Sequence, residues 1–494
     1  MDQSLHITQE ISQLNEFNQS QLTLIINITF SRTSQDENLL IKFINNSVIK
    51  SSEGYYQIEK EVTCLIPQVI YIDEVTISQV QATTQSNTYL LYFIGTICIG
   101  SVVFGGVEIF FNLLDTLQML SYLKYINTQL PYNLQAYFQL FGFAQFNFIQ
   151  KIFDFSGLID LMLNSNNLKK IPTKVASDDI TSLFIINTAT ITTVWISLLG
   201  IYAIAKVIPK ILYSFKFKFY SESEEENSWL IKIGVYYLTI KYVIIRICYA
   251  IISEFFYSGI LRVHMATAYD LTFSVFLQLY AFQLNSTNFF IKLSSLLACV
   301  AIIIYIFSIY FVIQISQMKK YSFNCIAIRT KYGSVFDGIK IHQFSQYLNA
   351  LLLIKKFMFM FLLVFAYEFP AFQTVSITLL SIMMSLFLIL FNPIEDKFEY
   401  YKQLVCEINI CFTLLNITIL TFDFELSYFT QMTRQSFGWG CIFFMTAILC
   451  IQLGVDGFQQ WRFIFKKYKQ IRKIADSILR LFSKNDQEAP KDAK

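Results

Sequence analysis

Nine stretches of roughly 20 predominantly apolar residues recur along the chain, each long enough to cross ~30 Å of hydrocarbon as a helix. They run over 89–107, 132–150, 185–207, 266–284, 293–315, 352–369, 372–391, 402–422 and 437–455. The sixth and seventh form a hairpin, because Glu368-Phe369-Pro370 leaves room for only a tight turn between them. Ahead of that hairpin, Lys319, Lys320, Arg329, Lys331 and Lys340 face the single acid Asp337, which places this loop on the cytoplasmic side.

Polar interruptions change the reading of several stretches. The second candidate span carries Gln135, Gln139, Gln145, Asn147 and Gln150, amides that in lipid should face protein or water. It either lines a passage or lies on the surface, and the parity of the later spans favours a crossing. The apolar run over 230–257 contains Lys232, Lys241, Arg246 and Glu254. Each charge at the bilayer centre costs ~2.5–3.5 kcal/mol, so this helix is expected along the interface. Residues 113–130 are amphipathic and read the same way, as does the tail helix over 461–483.

Upstream of the first span the period changes. QLTLIINITFSR, NLLIKFINNSVI and TCLIPQVIYIDEVTISQV alternate or run β-branched between turn residues, which predicts strands of a sandwich-like segment. The predicted fold is therefore mainly α, a polytopic transmembrane bundle of about nine spans with a small N-terminal β-sandwich-like segment. Three regions follow: a β-rich segment over 1–87, a membrane domain over 88–456 and a basic amphipathic tail over 457–494.

Composition supports this class. The 494 residues are 54% hydrophobic and only 15% charged, the balance of a multi-span protein rather than a soluble enzyme. Residues 1–87 hold ten acids against four bases, whereas the chain from Trp461 onward holds ten bases against four acids. A basic tail prefers an anionic cytoplasmic leaflet, so the N-terminus is expected outside or in a lumen and the C-terminus in the cytoplasm. Four sequons, at Asn18, Asn27, Asn45 and Asn285, fall on the predicted outer side and are candidate glycosylation sites. The first residues lack the basic and apolar regions of a cleavable signal peptide.

Candidate chemistry lies with ionisable residues inside apolar runs, since a charge in lipid is by default functional or paired. These are Asp270, Lys355, Lys356 and Glu407. Asp270 is expected to pair with Arg262 or a lysine, and Glu407 with Lys402, Lys355 or Lys356. Asp423 and Glu425 are candidates for an outer cation-attracting mouth. Nine cysteines and three scattered histidines show no metal-ligand spacing, and no nucleophile or phosphate-loop motif is present, so neither catalysis nor a metal or other cofactor is expected. The expected partners are the lipid bilayer, anionic lipids at the basic tail and further copies of the chain, with no nucleic acid.

Four segments taken together carry a family resemblance: KYGSVFDGIK (331–340), LLLIKK (351–356), YEFPAFQ (367–373) and PIEDKFEYYKQLVCEIN (393–409). In this order, after a β-rich segment, they resemble the TRP-like/flavin-carrier membrane domain of fungi and protists, including large ciliate surface proteins that end in such a domain. The similarity covers roughly 89–455. It implies a channel-related bundle with a role in moving cations, calcium among them, or flavin. The predicted connection over 423–436 is too short for a pore helix and filter, which departs from a typical cation channel. A surface receptor or adhesion protein anchored by its helices, and a lipid-handling protein, are the alternative readings.

Overall fold

The structure is a computed structural model. It describes residues 6–16, 19–29, 37–42, 61–66, 74–104, 107–141, 171–178, 180–214, 228–254, 259–284, 288–318, 325–336, 338–342, 344–426 and 428–485. Two compact units are distinguished, Met1–Ala82 and Thr83–Lys494.

In the first unit, strands β1 (His6–Glu16) and β2 (Gln19–Thr29) form one antiparallel pair, in register from His6 opposite Thr29 to Glu16 opposite Gln19. Strands β3 (Glu37–Lys42) and β4 (Glu61–Ile66) form another. The expected sandwich is thus represented, among the described residues, by two separate two-stranded pairs. The third predicted strand is corrected in its second half: Glu74 onward is helical and opens α1 (Glu74–Phe104). A helix running unbroken into the first apolar stretch overrides the β-branched composition of EVTISQV.

The second unit is a helical bundle. After α1 come α2 (Val107–Tyr122), α3 (Tyr132–Gln139), α4 (Ala189–Ser214) and α5 (Ser228–Glu254). Next are α6 (Ile260–Ala266), α7 (Ala268–Tyr280), α8 (Phe289–Ser316) and α9 (Ile326–Phe336). The last four are α10 (Leu348–Phe365), α11 (Pro370–Phe391), α12 (Lys397–Leu426) and α13 (Gln431–Asn485). Among the described residues six helices are long and apolar enough to cross a membrane: 189–214, 289–316, 345–365, 370–391, 397–424 and 431–462. Their outer faces carry Ile196, Ile204, Ile303, Phe307, Met383 and Leu390, each more than half exposed. Such a continuous apolar surface requires a lipid environment, and the chain is an integral membrane protein.

Three of the nine predicted spans are not among these six. The first lies within α1, whose side chains at Ile94 and from Ile97 onward are outside the described residues. The second is described only to Phe141, as the two turns of α3 with Tyr137 and Phe138 buried; Gln145, Asn147 and Gln150 lie outside the described residues. The fourth, 266–284, is shortened to α7, which starts after a break at Thr267 and ends at Tyr280. At 13 residues, α7 rises only about 20 Å and cannot cross by itself.

Instead α7 is the centre of the bundle. Ten of its residues, Ala268, Tyr269, Asp270 and Thr272 to Gln278 without a gap, are buried, and it packs against α8 and α10. Its hydroxyls bond back to their own helix, Thr272 to the Ala268 carbonyl at 2.6 Å and Ser274 to that of Asp270 at 2.7 Å, so polar side chains are tolerated in the interior. Gln278 ties α7 to its neighbours by accepting from the Phe184 amide and from Ser294 Oγ.

Further corrections concern boundaries. Residues 113–130 do not form a surface helix: Leu117 to Leu123 are buried without a gap, and α2 contributes to the main core. Amphipathicity there marks a helix between polar and apolar parts of the interior, not between lipid and water. The expected outer connection over 423–436 shrinks to 427–430, because α12 and α13 extend into it. Thr433 N–H points to Thr430 Oγ1 at the start of α13. The ninth span and the basic tail form one helix, since no proline interrupts the chain from Gln431 to Asn485.

The α10–α11 hairpin is present as predicted, with Pro370 at the first position of α11, where a missing N–H costs nothing. Asn392 ends that helix in the left-handed region at φ 40° and donates to the Leu388 carbonyl. The following residues clamp the start of α12 to the loop before α10: Ile339 bridges Ile394, and Lys340 N–H donates to the Pro393 carbonyl at 2.7 Å.

Candidate functional site

That clamped end of the bundle holds a cavity of about 400 Å³ with charged side chains in its lining, walled by α2, α6, α7, α10, α12 and α13. Lys355 and Lys356 enter it from the second turn of α10, and Glu407 from the third turn of α12. Lys355 pairs with Glu407, whose Oε1 also accepts from Ser381 Oγ on α11 at 3.0 Å. Lys356 pairs with Asp115 of α2, donates to the Met265 carbonyl at 2.8 Å and lies 5.2 Å from the centre of the Tyr269 ring.

The Met265 contact follows from the break at Thr267. A helix that stops leaves its last carbonyls without intrahelical partners and carries a partial negative charge there. Lys356, arriving from α10, supplies both a donor and a positive charge at the end of α6. The break and the lysine therefore stabilise each other.

A second network joins the start of α12 to α13. Lys402 bonds Asp456 at 2.8 Å and Glu399 at 2.7 Å, and Gln459 donates to Glu399 at 3.2 Å. Gln452, one turn before Asp456, donates to Thr116 Oγ1 at 2.6 Å. Lys355, Lys356, Lys402, Glu407 and Asp456 are each 7% exposed or less. Buried ions are costly unless paired, and each of these five has an opposite charge within ion-pair distance.

The structure brings three of the four intramembrane candidates together and separates the fourth. Asp270 does not line the cavity; it accepts from Tyr122 Oη and from Gln118 Nε2, the latter at 2.9 Å, so the expected partner Arg262 is replaced by two neutral donors on α2. Asp423 lies 16 residues beyond Glu407 on α12, about 24 Å along the axis. It is 4% exposed, pairs with Arg434 at 2.5 Å and accepts from the Phe429 amide at 2.6 Å. It fastens the α12–α13 turn rather than standing in a solvated mouth. Glu425 is in the last turn of α12, with its side chain outside the described residues. Of the sequons, Asn27 falls in β2, and Asn18, Asn45 and Asn285 lie outside the described residues.

Sequence reasoning missed Asp115, Glu399, Gln452 and Asp456. A signal existed for two of them: Asp115 is the only charge between Glu108 and Lys124, and Asp456 the only acid between Glu425 and Asp476. A lone acid in an apolar helix seeks a buried base.

At the opposite end, where α10 turns into α11, the contacts are of another kind. Asn127 N–H donates to Gln373 Oε1 at 2.9 Å, and its side chain to the Tyr367 carbonyl at 2.8 Å. Tyr367 Oη meets Thr173 Oγ1 at 2.8 Å, and Lys174 Nζ donates to the carbonyls of Ile126, at 2.7 Å, and Thr128. Burial pushes the Lys174 ammonium down to about 8.

Fold and site together define an integral membrane protein built on a helical bundle with a charge-lined cavity at one end. The chain matches no protein-family model, no curated protein and no solved structure.

Proposed function

We propose that the chain is a membrane transport protein whose charged cavity receives the transported species. One observation carries this reading: the cavity lies at a helix break, where Lys356 bonds the Met265 carbonyl at the end of α6 beside the Lys355–Glu407 pair. Interrupted helices place end groups and their dipoles inside a membrane protein, where they hold charged species. Paired side chains can exchange a partner for a ligand with little change in buried charge.

The commitment of Glu407 and Asp270 to donors favours a binding-and-release transporter over an open cation pore. The TRP-like resemblance supports transport through its implied role in moving cations, calcium among them. The basic residues around the cavity-bearing end support a cytoplasmic location for it, with the N-terminus outside.

A second reading, lipid handling, is favoured by one feature. Another face of α6 borders an apolar crevice of about 460 Å³ between Trp195, Phe307, Phe311 and Tyr332, where His264 Nε2 and Ser308 Oγ make a 2.8 Å hydrogen bond. The discriminating experiment reconstitutes the purified protein in liposomes and follows potassium, calcium and a fluorescent lipid in parallel, with Glu407→Gln as the control. Solute flux lost in the variant supports transport. Lipid movement alone selects the second reading, and silence in all three assays overturns both in favour of a receptor or anchor.

A further inference from the structure

The cavity's charges do not all cancel locally. Around the helix break, Arg262, Lys355 and Lys356 face the two acids Asp115 and Glu407, which leaves one positive charge. Along α13, Lys402 faces Glu399 and Asp456, which leaves one negative charge.

The surplus on each side coincides with unused hydrogen-bonding capacity. Arg262 lines the cavity, half-buried, and has no ion pair or hydrogen bond among the described residues. On the other side Gln452 is 4% exposed and lines the cavity, and its Oε1 has no donor. Asp456, one turn further on α13 and 2% exposed, likewise has Oδ2 without a donor. Buried acceptors left unmatched cost free energy, so the site is built for a donor that the chain does not supply. Asp396 at the mouth caps α12 through the Phe398 amide at 3.0 Å and adds a second negative charge on the side of Glu399.

We propose that this cavity recognises a small zwitterion, with its phosphate or carboxylate on Arg262 and its ammonium at Gln452 Oε1 beside Asp456. A guanidinium matches either oxyanion through paired N–H donors, and an ammonium supplies the donors the α13 side lacks. A ligand carrying both charges brings no net charge into the membrane. The free solute and the headgroup of a lipid share this chemistry. The role of the zwitterion as substrate rests on the transport reading, whereas its binding does not.

The test uses the full chain in phosphatidylcholine nanodiscs, with glycerophosphoethanolamine, a phosphodiester with no net charge, as the zwitterionic probe and inorganic phosphate and ethanolamine as probes of one sign only. Binding is read by titration calorimetry and by the unfolding midpoint. The expected result is at least tenfold tighter binding of the zwitterion than of either single charge. Arg262→Gln then weakens the zwitterion and phosphate about tenfold, and Gln452→Leu weakens the zwitterion and ethanolamine. Because Arg262 has no side-chain partner to orphan among the described residues, its variant is expected to keep the ligand-free unfolding midpoint and remains informative should Gln452→Leu fold poorly.

A parallel set of nanodiscs containing phosphatidylethanolamine separates the sources. Stabilisation there, abolished by Arg262→Gln and without response to the free probe, assigns the site to a headgroup; response to the free probe assigns it to a solute. Equal affinity for phosphate alone, no response to either source, or an unaffected Arg262→Gln variant overturns the inference. Binding without flux in liposomes would sink the transport reading and leave the site, and flux without zwitterion binding would do the reverse.

Discussion

The two ends of the bundle use polar residues in opposite ways. Where α10 turns into α11, Asn127, Gln373, Tyr367 and Lys174 satisfy backbone groups of neighbouring segments, and the ion pairs toward that end, Lys124 with Asp178 and Arg434 with Asp423, line no part of the cavity. At the other end side chains face side chains, base against acid, around a cavity of about 400 Å³. Backbone bonds join loops and have no alternative partner. Ion pairs have one, because a charged ligand can replace either member. The first end closes the bundle and the second is equipped to exchange.

The largest expected effect comes from breaking one pair at the exchanging end. Lys355→Met leaves Glu407 buried with Ser381 as its remaining donor and should cost about 3–5 kcal/mol. The double variant Lys355→Met with Glu407→Met should recover most of that loss, because two apolar groups replace the pair. Thermal unfolding in detergent across the mutant cycle measures both. Equal losses in single and double variants would show that the charges are not coupled.

At the closing end, Gln373→Leu removes the acceptor of Asn127 N–H and a 2.8 Å bond to the Leu363 carbonyl. The expected loss is about 1–3 kcal/mol, with no recovery from any second apolar substitution, since the orphaned group is backbone. Gly438→Ala probes the same end by packing. An added Cβ would collide with Asn133, which is fully buried and holds the Gln435 carbonyl at 3.0 Å. Destabilisation of about 1–3 kcal/mol is expected, visible as a lower unfolding midpoint.

The remaining effect is a pH dependence. The folded chain holds Lys174 at about 8, below the usual 10.5, so between those values it binds fewer protons than the unfolded chain. The stability that this residue contributes therefore rises from about pH 8 to about pH 10.5. The unfolding midpoint of the protein relative to Lys174→Met should climb across that window, and a flat difference would contradict the assignment.

How much of this was legible in the sequence depended on whether the signal was local. The six spans and the Pro370 hairpin turn follow from runs of apolar residues and one fixed φ, both properties of consecutive positions. Lys355, Lys356 and Glu407 stood out because a charge inside an apolar run is unexpected. Their grouping did not, since Asp115 and Glu407 are brought to adjacent lysines by helices nearly 300 residues apart in the chain. The central helix α7 was misread for a related reason. Its residues are apolar enough to suggest a span over 266–284, yet the helix ends at Tyr280, and the break at Thr267 before it carries no proline or glycine and is met by Lys356 at the Met265 carbonyl from another helix. The contacts of Asp270 with Tyr122 and Gln118 were likewise hidden, because neutral donors on a neighbouring helix leave no mark in the charge pattern.

The contrast between an exchanging end and a closed end is tested most directly by accessibility to a membrane-impermeant maleimide in sealed vesicles, on a background with the native cysteines replaced. Gln403→Cys, in the cavity wall, should be labelled only from the side that bears the C-terminal tail. Thr128→Cys, 2% exposed at the other end, should not be labelled from either side. Labelling of Thr128→Cys, or of Gln403→Cys from the side opposite the tail, would contradict a one-ended cavity and point to a continuous path through the bundle.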